Sequence, residues 1–262
     1  AETLGAKGSI HHQTEPLGTA HAVLCAKSCL EGPVIVAFAD TLFKADFQIS
    51  EQTEGMIWVK KIEDPSAFGV VQLDEKNVII DFVEKPKEFI SDLAMIGIYF
   101  FKNGATLKTE LDYLLENDLQ KGGEYQLPDA LRRLTEKGTV FMPGQVDAWL
   151  DCGNKKVTVE TNKHVLNFDQ ERGVNLRHST AEVKNSIVIE PCFLGEGSRV
   201  ENSVIGPHVS LGEGSKVENS ILKNCLIQQN TSLENQVLKD SMIGSFASVS
   251  NKAKDLSVGD FT

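Results

Sequence analysis

Five consecutive apolar residues at positions 34–38 are followed by Ala39 and then by the carboxylate of Asp40. An apolar run of this length, with a Gly-Pro pair before it and polar residues after it, predicts a strand buried on both faces. Such strands belong to open parallel sheets flanked by helices, where ligands bind beyond the carboxyl ends of the strands. Asp40 lies at that end, so it either faces a ligand site as a metal ligand or caps the next turn.

Strand-like and helix-like hydrophobic patterns alternate along the rest of the chain as far as about residue 167. A helix is predicted from 19 to about 30, a short strand at 10–13, and loop and helix over 41–55. Further strands are predicted at 56–62, 67–73, 78–83, 95–101 and 140–142, and further helices at 104–118, 126–137 and 154–167. Strands that alternate with helices indicate a layered α/β domain.

The pattern changes near residue 180 to an internal repeat. The ten residues that begin at Leu194 recur from Leu211 with nine identities, an offset of 211 − 194 = 17 residues. Within each turn apolar residues recur about every six positions, as at Ile205, Leu211 and Val217. This pattern is typical of a parallel β-helix, in which each coil buries its apolar residues against its neighbours. Glycine and asparagine are expected at the corners, which need positive φ.

Composition narrows the classes of function. The 262 residues are 41% hydrophobic and 24% charged, as in an ordinary globular protein, and the net charge of −11 disfavours nucleic acid as a partner. No run approaches the ~18 apolar residues that a membrane span needs, so we predict no membrane partner. The cysteines are odd in number and form no CxxC pair, which favours reduced thiols and a cytoplasmic location. They are Cys25, Cys29, Cys152, Cys192 and Cys225.

Two groups near the start of the chain have both a structural and a functional interpretation. Cys25 and Cys29 lie four residues apart on the predicted helix, where packing on one helix face is favoured over metal ligation because no further ligand joins them. Three histidines lie in the same region, but a polar loop with histidines is weak evidence for a metal.

The turn around Gly18 presents free N–H groups at a helix N-terminus, which suit a base edge or a phosphate.

Seven motifs, in order over residues 13–165, resemble those of the sugar-1-phosphate nucleotidyltransferases. They are Gln13 with Leu17-Gly18-Thr19-Ala20, Ala39-Asp40, Phe68-Gly69-Val70-Val71, Glu84-Lys85-Pro86, Ile96-Gly97-Ile98-Tyr99, residues 124–129, and Trp149-Leu150-Asp151-Cys152-Gly153. The resemblance is close to the glucose-1-phosphate thymidylyl- and uridylyltransferases that carry a C-terminal left-handed β-helix. It implies an α/β fold: a Rossmann-like nucleotidyltransferase domain, incomplete at its N-terminus, over 1–168, and a left-handed parallel β-helix of hexapeptide repeats over 169–262.

The resemblance implies a specific reaction. A sugar-1-phosphate oxygen attacks the α-phosphorus of a nucleoside triphosphate, which forms an NDP-sugar and releases pyrophosphate; glucose-1-phosphate with dTTP or UTP are the implied substrates. Because the nucleophile is already an anion, catalysis depends on in-line positioning and on neutralising crowded negative charge. Mg²⁺ suits this task, since it takes few carboxylates and completes its shell with phosphate oxygens and water.

Roles for individual residues also follow from the resemblance. The expected catalytic residues are Asp40 and Asp151, which hold Mg²⁺, and Lys85, which pairs with the sugar phosphate. The expected substrate-binding residues are Gln13 and Gly18 at the base, Glu84 at the sugar hydroxyls, Gly69 through its backbone amide, Gly97 and Glu124. Taken alone, Glu84-Lys85-Pro86 is more typical of a solvated strand end than of a binding site, and Gly69 and Gly97 could be bulges in strands.

Some features of the family are absent from the sequence given. The family begins with a strand and a glycine-rich loop whose amides, Arg and Lys wrap the triphosphate, and we find no such segment here. Pro128 stands where Thr is usual, and Ala39 where Gly is usual. We therefore expect little or no transferase activity from this polypeptide as given, and an exposed sheet edge.

Two other functions remain open at this point. The chain could be a non-catalytic regulatory or scaffolding subunit, although such a subunit needs neither Asp40 nor Asp151. It could also be a hexapeptide-repeat acyltransferase, for which His208 is the candidate, although a corner or surface position for His208 is favoured because nothing else in the sequence resembles an acyl-carrier site. Because β-helices of this type commonly pack side by side, a homo-oligomer formed through the β-helix is expected.

Overall fold

A computed structural model describes residues 5–45 and 49–252. The chain divides into two compact units, Ala1–Trp149 and Leu150–Thr262. The helix at Lys155–Glu171 is thereby grouped with the second unit. The boundary expected between residues 168 and 169 stays a prediction of the sequence.

The first unit combines helices with a mixed sheet. Its described helices are α1 (Thr19–Cys25), α2 (Gly104–Glu116) and α3 (Leu127–Glu136), and one 3-10 turn lies at Lys27–Cys29. Its described strands are β1 (Val34–Ala37), β2 (Thr41–Lys44), β3 (Gly55–Lys61), β4 (Gly69–Leu73), β5 (Ile79–Glu84), β6 (Leu93–Phe101) and β7 (Phe141–Gln145). A further strand, β8 (Ala148–Asp151), crosses the division between the units.

Strand β1 differs from its prediction. The sheet order is β1-β6-β3-β7-β5-β4, in which β3 and β7 are parallel but β1 is antiparallel to β6. The expectation of a strand buried on both faces in a parallel sheet is therefore wrong. Val34 and Val36 pack against the core, whereas Ile35 is 60% exposed. An apolar run has no periodicity that distinguishes an edge strand from a central one, and within the described residues β1 pairs only with β6.

The core of the first unit lies between the sheet and the helices α2 and α3. Both helices bury leucines at spacings of four and three residues, which lie on one helix face. These leucines are Leu107, Leu111 and Leu114 in α2, and Leu127, Leu131 and Leu134 in α3. They share one buried cluster with Ile57, Phe82 and Phe141 of the sheet. At about 2 kcal/mol for each buried leucine, this face is the main stabilising contact of the two helices.

Three further predictions in the first unit are wrong. Residues 10–13 form no strand, and the helix that begins at Thr19 ends at Cys25 rather than near residue 30. Within the described part of 41–55 there is a strand, β2, where a helix was expected. Its residues alternate between half-buried and exposed, which is the period of a strand and not of a helix.

The second unit consists of helix α4 (Lys155–Glu171) followed by a parallel β-solenoid of about four turns. Its strands are β9 (Glu182–Lys184), β10 (Ile187–Val188), β11 (Cys192–Leu194), β12 (Arg199–Glu201), β13 (Val204–Ile205), β14 (Val209–Leu211), β15 (Lys216–Glu218), β16 (Ile221–Ile227), β17 (Ser232–Glu234), β18 (Val237–Ile243) and β19 (Ser248–Ser250). None of the helices in the described ranges is long and apolar enough to cross a membrane.

The solenoid confirms the predicted repeat. Val183, Val200, Val217, Leu233 and Val249 stack in register on successive coils. The first two steps are 17 residues (200 − 183 and 217 − 200), and the next two are 16 (233 − 217 and 249 − 233). The later coils are thus one residue shorter, which is why their repeat is less obvious in the sequence.

Asparagines occupy a corner of the solenoid, as predicted. Asn185, Asn202, Asn219 and Asn235 all have φ between 49° and 54°. Asparagine tolerates this left-handed conformation better than other residues with a side chain. A serine follows most of these corners, and its hydroxyl accepts a hydrogen bond from the backbone N–H of the serine one coil later. The Ser203 N–H donates to the Ser186 hydroxyl, and the Ser220 N–H donates to the Ser203 hydroxyl, both at 3.0 Å.

Candidate functional site

The glycine turn before α1 is fixed to the segment before α3. The Tyr125 N–H donates to the Leu17 carbonyl at 2.8 Å, and the Ala20 N–H donates to the Tyr125 carbonyl at 2.9 Å. Gly18 has φ of 101°, and a Cβ at this position would lie 2.6 Å from the Tyr125 carbonyl oxygen and 2.9 Å from Glu124 Cβ. The backbone therefore approaches so closely that only glycine fits. Gly18 and Glu124, both predicted to bind substrate, are thereby brought together.

Gln13 lies beside the same turn. Its side-chain amide donates to the Gly18 carbonyl at 3.1 Å and lies 3.0 Å from His21 Nδ1. Gln13 is exposed, so its amide edge is accessible. Thr19 does not cap α1, because its hydroxyl accepts the Leu127 N–H at 3.0 Å instead. This bond further fixes the turn that carries Gln13 and Gly18.

Gly69, Glu84 and Lys85 form a second group. Gly69 and Glu84 face each other across the β4–β5 pair, and a Cβ on Gly69 would lie 2.7 Å from Glu84 Oε2 and would also meet Met95 Cε. Lys85 has φ of 43°, and its N–H donates to the Phe68 carbonyl at 3.1 Å. Its Nζ lies 3.9 Å from Glu84 Oε1. The Lys85 side chain is 67% exposed but that of Glu84 only 29%, so a solvated strand end describes the lysine and not the glutamate.

The surroundings of Glu84 are charged. Burial raises the pKa of the Glu84 carboxyl, and the Lys85 ammonium lowers it to a smaller extent. The carboxylates of Asp129 and Glu124 raise this pKa further, while Lys121 opposes them. Lys121 Nζ lies 2.5 Å from Asp129 Oδ1. Two carboxylates and two ammonium groups therefore act on the half-buried Glu84, which can accept hydroxyl hydrogen bonds, while the exposed Lys85 ammonium beside it can pair with a phosphate.

Sequence reasoning assigned no role to Tyr99, Asp129 or Lys121. Burial raises the pKa of the Tyr99 hydroxyl, and the Glu84 carboxylate adds to the rise, so this hydroxyl remains a donor at neutral pH. The ring of Tyr99 packs edge-to-face on Phe38 with centroids 5.7 Å apart. Tyr99 and Asp129 lie within motifs that the sequence had singled out, but Lys121 carried no signal because its pairing with Asp129 depends on how the intervening loop folds.

Gly97 supports the segment that carries Asp40. Gly97 has φ of 82°, its carbonyl accepts the Phe38 N–H at 2.9 Å, and the Thr41 hydroxyl donates to the Ile96 carbonyl at 2.9 Å. The residues around Asp40 are thus anchored to β6. Asp40 itself is exposed, and within the described ranges its carboxylate accepts no hydrogen bond, so it does not cap a turn there.

Asp151 belongs to the second unit. Its Oδ1 accepts the Gly153 N–H at 2.9 Å, and its backbone carbonyl accepts the Thr161 hydroxyl at 2.8 Å, which ties Asp151 to α4. Its Oδ2 has no hydrogen-bond partner in the part of the chain that is described. Asp40 and Asp151 thus each offer a carboxylate oxygen, the ligand that Mg²⁺ prefers. They belong to different units, and their shared magnesium ion stays a prediction of the sequence.

Two other metal or catalytic interpretations can be compared with the geometry. Among the described residues, no three His, Cys, Asp or Glu side chains group as a metal site. His208 has φ of 63° at a corner of the solenoid, and its Nε2 lies 2.9 Å from Asn167 Oδ1 on α4. This contact fits the interpretation of His208 as a corner residue.

Comparison with known proteins agrees with this arrangement. The Nucleotidyl transferase family matches residues 1–167, and the family described as GlmU-like, C-terminal hexapeptide matches residues 172–252. The chain is 31% identical over 181 residues to the bifunctional protein GlmU of Methanococcus maripaludis, an alignment that covers 68% of this chain and 43% of the relative. It is 30% identical over 210 residues to the mannose-1-phosphate guanylyltransferase catalytic subunit beta of Drosophila pseudoobscura pseudoobscura, covering 76% and 54%.

A third relative is the glucose-1-phosphate thymidylyltransferase of Streptomyces antibioticus, 31% identical over 198 residues, with 72% of this chain and 52% of the relative covered. The chain therefore spans about half the length of the curated relatives it matches. Among solved structures, a nucleoside-diphosphate-sugar pyrophosphorylase from Vibrio cholerae RC9 matches with a TM-score of 0.50 at 19% identity, covering 57% of this chain and 66% of that one. At this identity the likeness concerns the fold alone.

Proposed function

The chain belongs to the nucleotidyl transferase family, and we propose that it forms an NDP-sugar and pyrophosphate from a nucleoside triphosphate and a hexose-1-phosphate. We propose glucose-1-phosphate as the sugar substrate and dTTP or UTP as the nucleotide. The motifs of residues 13–165 resemble those of enzymes with these substrates, and one relative is named a glucose-1-phosphate thymidylyltransferase.

The grouping of Gly69, Glu84 and Lys85 carries this proposal. Glu84 is the acceptor for sugar hydroxyls, and the exposed ammonium of Lys85, 3.9 Å from it, pairs with the sugar phosphate. A sugar phosphate needs both an acceptor and a cation within its own length, and the pair meets that need. Gln13 and Gly18, joined by a hydrogen bond of 3.1 Å, hold the base. Because the sugar phosphate attacks as an anion, none of these residues has to remove a proton, and positioning is their main contribution.

Magnesium is the cofactor of the proposed reaction. Asp40 and Asp151 would hold it, since each has a carboxylate oxygen that is free within the described residues. When bound, Mg²⁺ supplies positive charge that neutralises the triphosphate and polarises its phosphorus. Lys85 adds positive charge at the sugar phosphate, so the chain's own residues offset part of the charge that the substrates bring together.

The proposed function is tested by measuring pyrophosphate release from a chimera in which the family's N-terminal strand and glycine-rich phosphate loop are fused ahead of residue 1. We expect Mg²⁺-dependent turnover with glucose-1-phosphate and dTTP or UTP, and little turnover by the 262-residue chain without the fusion. A panel of other hexose-1-phosphates and triphosphates determines the specificity.

The control is the chimera with Lys85→Met, which we expect to raise KM for the sugar phosphate by at least about tenfold, since a charge-assisted hydrogen bond contributes about 1.5–3 kcal/mol. A chimera that folds but releases no pyrophosphate with any sugar phosphate would favour the non-catalytic scaffolding subunit instead.

We further propose a homo-oligomer formed through the solenoid. One column of the solenoid stacks Ile187, Val204, Ile221 and Val237 in register. Ile187 is 60% exposed, Ile221 52% and Val237 79%. A column of exposed β-branched residues with no charge among them suits a like column on a second copy of the chain.

Replacing Ile221 and Val237 together by lysine is expected to convert the oligomer to a monomer, because like charges would then face each other across the interface. Light scattering after size-exclusion chromatography measures the mass. The matched control is Glu234→Lys, also exposed but on another sheet of the solenoid. An unchanged mass for the double variant, or an equal effect of the control, would contradict this interface.

A further inference from the structure

Cys29 stands apart from the other cysteines of the chain. It is exposed, whereas Cys25 and Cys152 are half-buried and Cys192 and Cys225 are buried. Packing of Cys29 on a helix face, expected from the sequence, is therefore wrong: α1 has ended by Cys25, and Cys29 lies in the following 3-10 turn. A thiol in this position can be reached by reagents in solution.

A histidine lies within reach of this thiol. His11 Nε2 is 3.5 Å from Cys29 Sγ, and the Ser9 hydroxyl lies 3.1 Å from the same nitrogen and 3.7 Å from the sulfur. A nucleophile and a base at hydrogen-bond distance are the arrangement by which a thiol is activated, because the imidazole can take the proton as the sulfur attacks. The three side chains come from two separate segments, so the fold and not sequence proximity brings them together.

A second cysteine–histidine contact lies on the same segment. Cys25 Sγ is 3.9 Å from His21 Nε2, and the other ring nitrogen of His21 lies 3.0 Å from the Gln13 amide. Gln13 in turn donates to the Gly18 carbonyl at 3.1 Å. The stretch from residue 9 to residue 13 is thus held at one end by the contacts of Ser9 and His11 with Cys29, and at the other end by the contacts of Gln13 with His21 and Gly18.

We propose that Cys29 and His11 form a thiol–disulfide exchange site for low-molecular-weight disulfides of the glutathione disulfide type. The Cys29 sulfur attacks one sulfur of the disulfide, a new S–S bond forms to Cys29, and the original S–S bond breaks. His11 takes the proton of the thiol and returns it to the departing thiolate, so the products are a mixed disulfide and one free thiol. Metal binding is a poorer explanation, since the described residues group no three ligands here.

The adduct acts on the neighbouring segment. A tripeptide on Cys29 Sγ occupies the space of the contacts to His11 and Ser9, and His11 is two residues before Gln13. We expect the segment to separate from the thiol and to become less ordered. The consequence for nucleotide binding rests on the proposed function, whereas the exchange chemistry does not.

The exchange site is tested on the 262-residue chain by incubation with glutathione disulfide, followed by intact-mass measurement and peptide mapping. We expect the adduct on Cys29 and its loss in Cys29→Ser. His11→Ala should slow adduct formation by about tenfold or more, because a positioned general base contributes at least that much. His12→Ala is the matched control: His12 is also exposed and has no hydrogen bond to a thiol in the described ranges, so its rate should equal that of the native chain. Circular dichroism verifies the fold of each variant.

The proposal is overturned if the adduct forms mainly on Cys25 or Cys152, or if the two histidine variants react at the same rate. Hydrogen exchange over residues 5–18 provides a separate readout: faster exchange in the modified chain supports the link to Gln13, and unchanged exchange removes it. Neither measurement requires a substrate. Failure of the proposed function appears instead as a chimera without turnover whose Cys29 still exchanges normally.

Discussion

Replacing Gly18 by alanine is expected to destabilise the first unit by about 3 kcal/mol, the largest effect on stability that we predict. Two causes combine at this position. The backbone has φ of 101° and ψ of 178°, a region that is essentially restricted to glycine. The new Cβ would also lie 2.6 Å and 2.8 Å from the backbone oxygen and nitrogen of Tyr125, and backbone atoms cannot move aside as a flexible side chain can.

Urea unfolding followed by tryptophan fluorescence measures this change. The chain has two tryptophans, Trp58 and Trp149, and both lie in the first unit, so their fluorescence reports its unfolding. Gly138→Ala is the matched control, because Gly138 has φ of 94° but no heavy atom within 4 Å of an added Cβ. The control should cost only about 1 kcal/mol for its positive φ.

The comparison of the two variants tests whether alanine costs more at Gly18 than at a glycine that has a positive φ but no close neighbour. If Gly18→Ala costs no more than Gly138→Ala, the contact with Tyr125 is not what requires glycine. If it costs more, the restricted backbone of Gly18 and its contact with Tyr125 together account for the excess, as expected of a turn and a neighbouring segment that form one rigid support. Such a support would hold Gln13 and Glu124 at fixed positions, which is what a base-recognition site needs.

The parts of the fold that the sequence predicted are those whose side chains follow a single period. The leucines of α2 and α3 repeat at helical spacing, and the valines of the solenoid repeat every 17 residues before the step shortens to 16. Each of these patterns is local, because the spacing within one element is enough to place its apolar residues on the face that becomes buried. Strand β1 has no such period, and its place at the end of the sheet depends on which other strands it can pair with, which is not encoded within the five residues.

Sequence motifs indicated the residues of the candidate site one by one but not their arrangement. Gly18, Gly69, Glu84 and Lys85 were each indicated by a short motif. That Glu124 and Asp129 act on Glu84 depends on α3 packing beside β5, where Arg132 pairs with Asp81, and that contact has no signature in sequence spacing. The Cys29–His11 pair is similar: its two residues are 18 positions apart, and the sequence favoured a packed helix face over a reactive thiol.

Replacing Asp40 or Asp151 by asparagine is expected to reduce turnover by the active chimera about 10³-fold or more, the largest effect on activity that we predict. Asn retains the size and one oxygen of Asp but loses the negative charge, so it weakens binding of a hard cation that depends on charge. Asp40→Asn should leave the stability of the metal-free protein unchanged, because within the described residues the Asp40 carboxylate makes no hydrogen bond or ion pair. Loss of activity without loss of stability would indicate a functional and not a structural carboxylate.

Three further measurements make this prediction specific. Asp147→Asn is the matched control, since Asp147 is an exposed carboxylate four residues before Asp151 and should be dispensable. Raising the Mg²⁺ concentration should partly restore each active-site variant but not alter the control. If Asp40 and Asp151 serve one ion, the double variant should lose little more activity than either single one, because residues that act as a unit are not additive. Losses that multiply would instead show that the two carboxylates act independently, and the assignment of a shared magnesium ion would have to be abandoned.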